Sequence, residues 1–350
     1  MILLSELSAK VRFESAASLR TPDRVPVAYL YHGASRSVLK ETGLTWKKIY
    51  YSAEDAAREI LTANKMWPHD NVCSILSPTC GLDDLGVRVN VPDMDEPFVD
   101  YRTPFLKEEG DIERMRRTDP TKEGTMAKTV KTAKILREML GPDVPIVGGF
   151  GGISTWAFFL RRADNFIRDF IKRKDFQRKY MEFLTDVAIE FCTAQIRAGC
   201  DWIVSGEDAF AVDMLGPEQS WICNGVYAKR LAEAVHDEGA RYILHCCGDC
   251  ELALDMMAST GADVISVDRV RLEYAKSILG SRAALMGNVK SAIILGKGPR
   301  EVEKDCIRAL NEAKENGGYF MCCGYIYPLA TPRENISTIV KSAVKYGRYG

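Results

Sequence analysis

Apolar residues along this chain come in short bursts separated by longer amphipathic stretches. The bursts lie near residues 25, 72, 144, 201, 242, 263, 283 and 318, and each is closed by Gly, Asp, Cys or His. Short apolar runs bounded by such breakers predict strands buried on both faces. Between them the period lengthens to that of helices. Residues 5–19 place Leu7, Val11, Phe13 and Leu19 among polar positions, before Thr21-Pro22 breaks the pattern. Ser52-Ala-Glu-Asp55 opens another helix with a capping-box-like pattern, and Ala56, Ile60, Leu61 and Met66 give it a buried face. Further helices are predicted over 122–140, 155–171, 175–198, 227–238, 250–260, 300–315 and 332–346. Residues 86–91 alternate apolar and polar positions and predict one strand of a small hairpin. The proline- and acid-rich stretch 92–103 that follows reads as an irregular surface excursion, with a lid as the alternative.

Eight strands alternating with helices predict an α/β fold, and the count suits a (β/α)8 TIM barrel. The expected organisation is one domain over residues 1–350, with an N-terminal helical extension and a small hairpin insertion. A doubly wound open sheet is the competing architecture, and it would carry a ligand fingerprint at a switch point. Gly148-Gly149-Phe150-Gly151-Gly152 ends a strand but lacks the dinucleotide-binding spacing.

Composition narrows the function classes. Apolar residues make up 46% of the chain, and 47 basic against 48 acidic residues leave a net charge of -1. That balance gives no reason to expect nucleic acid or an anionic membrane as a partner. No apolar run reaches the roughly 18 residues of a membrane span, and Met1-Ile-Leu-Leu lacks the basic start and cleavage site of a signal peptide, so a cytoplasmic protein is expected. Eleven cysteines are an odd number, better suited to reduced thiols with some metal or catalytic use than to a disulfide framework.

The densest chemistry lies in Arg241-Tyr-Ile-Leu-His-Cys-Cys-Gly-Asp-Cys250, an apolar strand that stops at a histidine and three thiols. Were the strand to continue that far, its period of two would put His245 and Cys247 on one face, within reach of one ion. Plain packing of buried thiols is the alternative. In a barrel, strand ends share one mouth, which would gather His32, Glu207, Asp208, His245, Cys247, Asp268, Asn288 and Cys323. Glu207 and Asp208 are candidates for acid and base work, although neighbours on a strand point opposite ways. His32 either lines a pocket or caps a turn.

Pro22-Asp-Arg-Val-Pro-Val27, Gly141-Pro-Asp-Val-Pro-Ile-Val-Gly-Gly149, Leu244-His-Cys-Cys-Gly248, Met286-Gly-Asn-Val289 and Thr331-Pro-Arg-Glu-Asn335 stand in the order of the uroporphyrinogen decarboxylase superfamily. Over essentially its whole length the chain resembles the corrinoid-dependent methyltransferase branch. The decarboxylase branch is disfavoured because Tyr31-His-Gly-Ala-Ser stands where arginines for a polycarboxylate would be expected.

The resemblance implies a zinc ion held by His245, Cys247 and Asp268. Counting back without a gap from Thr331-Pro332, the fourth ligand falls on Tyr325, with Cys323 and Cys322 two and three residues earlier. Cys323, Tyr325 and an open position all remain as the fourth site. Glu207, Asp208 and Tyr325 stand as the catalytic candidates, and Tyr31, His32 and Asn288 as the substrate-binding ones. The corrinoid (cobalamin) would come from a corrinoid-binding partner protein, because no Asp-x-His-x-x-Gly-like run is present to hold it. The small substrate would be a methyl donor, as for an O-demethylase of methoxylated aromatics, or an acceptor such as coenzyme M or tetrahydrofolate. A decarboxylase of the same fold is the remaining enzyme alternative, and a non-enzymatic corrinoid-binding protein the one outside enzymes.

Overall fold

In a computed structural model of the chain, which describes residues 6–30, 35–211, 213–324 and 326–350, seven strands form one parallel sheet. They are β1 (Val72–Cys73), β4 (Ile146–Phe150), β5 (Trp202–Gly206), β6 (Arg241–Cys246), β7 (Val264–Val267), β8 (Ala284–Met286) and β9 (Tyr319–Phe320), in that spatial order. Two further strands, β2 (Val89–Asn90) and β3 (Phe98–Val99), pair antiparallel as the expected hairpin insertion. The sheet strands are apolar on both faces because helices cover the outside while the strands curl around a filled interior.

The eighth position of the barrel is filled by residues 25–30, although no regular ladder forms there. On one side Val27 bridges Met321 in parallel, with Ala28 N donating to Met321 O at 2.8 Å and Met321 N to Pro26 O at 2.9 Å. On the other side Asp70 N donates to Val27 O at 2.8 Å, and the Asn71 amide takes both backbone groups of Tyr29. Pro26 has no N–H to give a ladder, so side chains substitute for part of it.

The N-terminal helix, Ala9–Ala17, lies against the end of the barrel where the strands begin. Lys10 pairs with Asp201 and Glu14 with Arg241, residues at the starts of β5 and β6. Phe13 is fully buried edge-on against Trp202 and Phe320, with ring centroids 5.2 and 4.7 Å away. A buried ion-pair network ties this helix to the segment at the eighth position. Asp70 accepts from Arg12 Nη1 at 2.6 Å, from both terminal nitrogens of Arg24 at 2.7 and 2.8 Å, and from Val27 N at 2.8 Å.

The predicted helix over 155–171 is two helices, Ile153–Arg161 and Ala163–Lys172. Arg162 breaks them with φ of 72°, a left-handed conformation that an arginine adopts at some cost and that periodicity does not foretell. Two short helices, Arg36–Thr42 and Trp46–Tyr51, were not expected. Among the described residues no helix is long and apolar enough to cross a membrane.

Candidate active site

His245 sits on β6 opposite Gly206 of β5 and Ser266 of β7, completely buried. Its Nδ1 lies 3.0 Å from Ser266 Oγ, and its Nε2 lies 3.2 Å from Cys247 Sγ. In the tautomer whose Nδ1–H donates to the serine, the Nε2 lone pair faces the sulfur. That is the arrangement in which an outer hydroxyl orients a ligating imidazole. Burial pushes His245 down to about 3, which keeps the ring neutral, as ligation requires.

Cys247 lies just past the last residue of β6 and is half-buried. Its backbone N–H donates to Asp208 Oδ1 at 3.0 Å, so the acid that follows β5 fixes the loop carrying the thiol. Asp268, which follows β7, accepts from Gly248 N at 3.3 Å. Its Oδ1 also packs on Gly324, only 2.3 Å from where a Cβ at that position would stand. Asp268 therefore lies between the loop of Cys247 and the loop of Cys323. Burial raises both Asp208 and Asp268 and holds the Cys247 thiol well above its ordinary range, and the two carboxylates push that thiol in the same direction.

Cys323 is fully buried after β9, where its backbone bridges Val289. The adjacent Cys322 thiol is pushed up first by its contact with Cys323 and then by burial. Tyr31, His32 and Tyr325, named from the sequence, lie outside the described residues.

Two of the sequence candidates have other work. Glu207 was expected to be catalytic, yet its Oε1 accepts from Ile153 N at 2.9 Å and its Oε2 from Ser154 N and Oγ at 3.0 and 2.9 Å. Its carboxylate thus engages the first turn of helix Ile153–Arg161, where N–H groups are otherwise unmet. Gly152 makes this approach feasible: a Cβ there would stand 1.9 Å from Gly206 O. Asn288 was expected to bind substrate. Its Nδ2 instead donates to Asp268 O and Val270 O at 2.7 and 2.6 Å, and its Oδ1 accepts from Arg308 Nη2 at 3.2 Å. It braces the loop after β7. Ser266, which sequence reasoning passed over, orients the imidazole; an i-to-i match with His245 on the neighbouring strand is visible only once the register is known.

The donor set can be tested against a zinc ion. A tetrahedral zinc with ordinary bond lengths would separate a nitrogen and a sulfur ligand by about 3.6 Å. His245 Nε2 and Cys247 Sγ, at 3.2 Å, need only a small adjustment to meet that spacing. Among the described residues no three His, Cys, Asp or Glu groups come within range of a common ion. The pair fits, and a complete shell would draw on the neighbouring loops.

The sequence profile of the uroporphyrinogen decarboxylase (URO-D) family matches residues 8–346. The chain belongs to the uroporphyrinogen decarboxylase family. Within the family, relatives differ in how much of this chain they match. The methylcobamide:CoM methyltransferase MtaA of Methanosarcina barkeri is 26% identical over 98% of this chain and 99% of its own length. MtbA of Methanosarcina mazei, also a methylcobamide:CoM methyltransferase, is 23% identical over the same shares. By contrast, the uroporphyrinogen decarboxylase of Syntrophotalea carbinolica is 26% identical over 68% of this chain and 69% of its own. The solved structure of a methyltransferase from Methanosarcina mazei superimposes with a TM-score of 0.88, at 25% identity, over 97% of this chain and 99% of that one. These matches agree with the methyltransferase branch expected from the sequence motifs, and with the TIM-barrel fold.

Proposed function

We propose that this member of the family is a zinc-dependent methyltransferase that moves a methyl group between a corrinoid carried by a partner protein and a small substrate. The observation that carries this reading is the His245–Cys247 pair, 3.2 Å apart at the mouth of a barrel whose full-length relatives are methylcobamide:CoM methyltransferases. His245 and Cys247 would hold the ion, with Asp268 beside them and Cys323 or Tyr325 as the further donor. When bound, a zinc ion lowers the pKa of a coordinated thiol, so the methyl acceptor exists as an anion at neutral pH; in reverse it stabilises the departing anion.

The chain's own groups supply the rest. Ser266 fixes the imidazole, and Asp208 fixes Cys247 through its backbone N–H. Asp208 would take the proton that a thiol substrate gives up, in keeping with the burial that raises its affinity for one. Glu207 and Asn288 hold the helix start and the loop after β7 in place. The corrinoid partner would approach the mouth from outside, with the small substrate lying deeper.

A thiol acceptor is the leading substrate class, because the full-length relatives act on CoM by name. Demethylation of methoxylated aromatics is the second reading. Purified protein loaded with zinc is incubated with methylcobalamin and thiols, and separately with cob(I)alamin and methoxyarenes. Thioether formation in the first mixture is expected. Methoxyarene consumption without thioether formation would reverse the order of the two readings, and inertness in both would overturn the proposal.

A further inference from the structure

Three successive strand ends meet at Gly248. This glycine follows Cys247 in the loop after β6; its N–H donates to Asp268 Oδ2 at 3.3 Å, and its carbonyl accepts from Arg269 N at 3.0 Å. The Arg269 side chain turns back across it. Its Nη2 stands 2.9 Å from where a Cβ at Gly248 would lie, and Ala211, from the segment after β5, comes within 3.8 Å of the same point. Gly248 is buried beneath this cover with φ of 88°, so both the backbone conformation and the close approach require glycine. The guanidinium is thus held over the residue next to Cys247.

Other arginines near these strand ends are closed onto the protein. Arg271 donates to Glu251 from Nε and Nη2 at 3.0 and 3.3 Å, and Arg308 uses its donors on Asp305, Glu312 and Asn288. Among the described residues the Arg269 side chain donates no hydrogen bond. It meets a carboxylate, Asp213 Oδ2, only at 3.7 Å, and the two side chains are 64% and 66% exposed. An exposed pair at that spacing adds little to stability. A planar donor fork tied down at its backbone and open at its tip is suited to two-pronged recognition of an oxyanion. The neighbouring charges give that a reason. Asp208 and Asp268 both hold the loop of Cys247 and would oppose an anionic reactant unless a cation stood beside them.

We propose that Arg269 is a substrate-binding residue: its guanidinium receives an anionic oxygen group of the small substrate, and Asp213 competes for it when that group is absent. The ligand class is a small thiol, or a methoxylated compound in the second reading, that carries a carboxylate, sulfonate or phosphate. The phosphate of the corrinoid offers the same chemistry from a second source. The inference rests on the methyl-transfer reading and adds a charge requirement to it.

Zinc-loaded wild type, Arg269→Gln and Asp213→Asn are compared by steady-state kinetics and by calorimetric Kd. The probes are mercaptopropionate and mercaptoethanesulfonate against neutral mercaptoethanol, and a carboxylated against a neutral methoxyarene. The wild type favours the anionic member. Arg269→Gln lowers that preference, the ratio of kcat/KM values, about tenfold and raises the Kd of the anionic member by a similar factor, the scale of one lost charge-assisted contact. Asp213→Asn moves the preference the other way, because the guanidinium loses its competitor. Variants that impair both members alike, or that shift the preference in the same direction, mark a loop-bracing ion pair and overturn the inference while methyl transfer stands. So does a wild type without the preference. A defect in Arg269→Gln that is present with methylcobalamin and absent with methylcobinamide, which has no phosphate, overturns the assignment to the small substrate. A wild type inert toward every methyl donor and acceptor removes the underlying reading and the inference with it.

Discussion

Asp208 Oδ1 accepts the backbone N–H of Cys247 at 3.0 Å, which ties the end of one barrel strand to the thiol at the end of the next. A carboxylate in this position sets where the sulfur stands. Removing it in Asp208→Ala should lower zinc affinity and methyl transfer together by about 10- to 100-fold, the usual scale for a partner behind a metal ligand. Zinc titration with a competing chelator, alongside kcat/KM, checks this. Loss of kcat with unchanged zinc affinity would mean that Asp208 acts only on protons.

Glu207 gives a prediction about pH. Burial pushes its carboxyl from 4.5 up to about 7, with the N–H groups of Ser154 and Ile153 opposing. Between those values the folded chain holds a proton that the unfolded chain releases, so this group's contribution to stability falls as pH rises from about 4.5 to 7. Glu207→Gln should flatten the slope of stability against pH in that window while lowering the melting temperature, because one helix N–H loses its acceptor. Urea melts at several pH values measure it. An unchanged slope would contradict the raised carboxyl, and an unchanged melting temperature the helix-start role.

Asp70 joins Arg12, Arg24 and the Val27 N–H below the barrel, 3% exposed. Asp70→Ala leaves two guanidinium groups without their buried partner and should destabilise the fold by about 3–5 kcal/mol. Denaturant midpoints read this directly. Arg12 also donates from Nε and Nη2 to Asp23, each at 2.7 Å, and a change below about 1 kcal/mol would mean that Asp23 alone suffices for it.

The alternation of strands and helices was legible in the sequence because each burst of apolar residues stops at a breaker, and the His245-x-Cys247 spacing was legible for the same reason. The roles of Glu207 and Asn288 were not. A strand-end acid or amide reads alike whether it faces the cleft or a neighbouring helix start, and only the packing of helix Ile153–Arg161 and of the loop after β7 decides between them.

Zinc content of the purified protein tests the central claim most directly. Plasma emission spectrometry of wild type, His245→Ala and Cys247→Ser, each with its circular dichroism melt, should find about one zinc per chain in the wild type and little in either variant, with the folds intact. A full complement of zinc in both variants, or an active wild type carrying none, would contradict it.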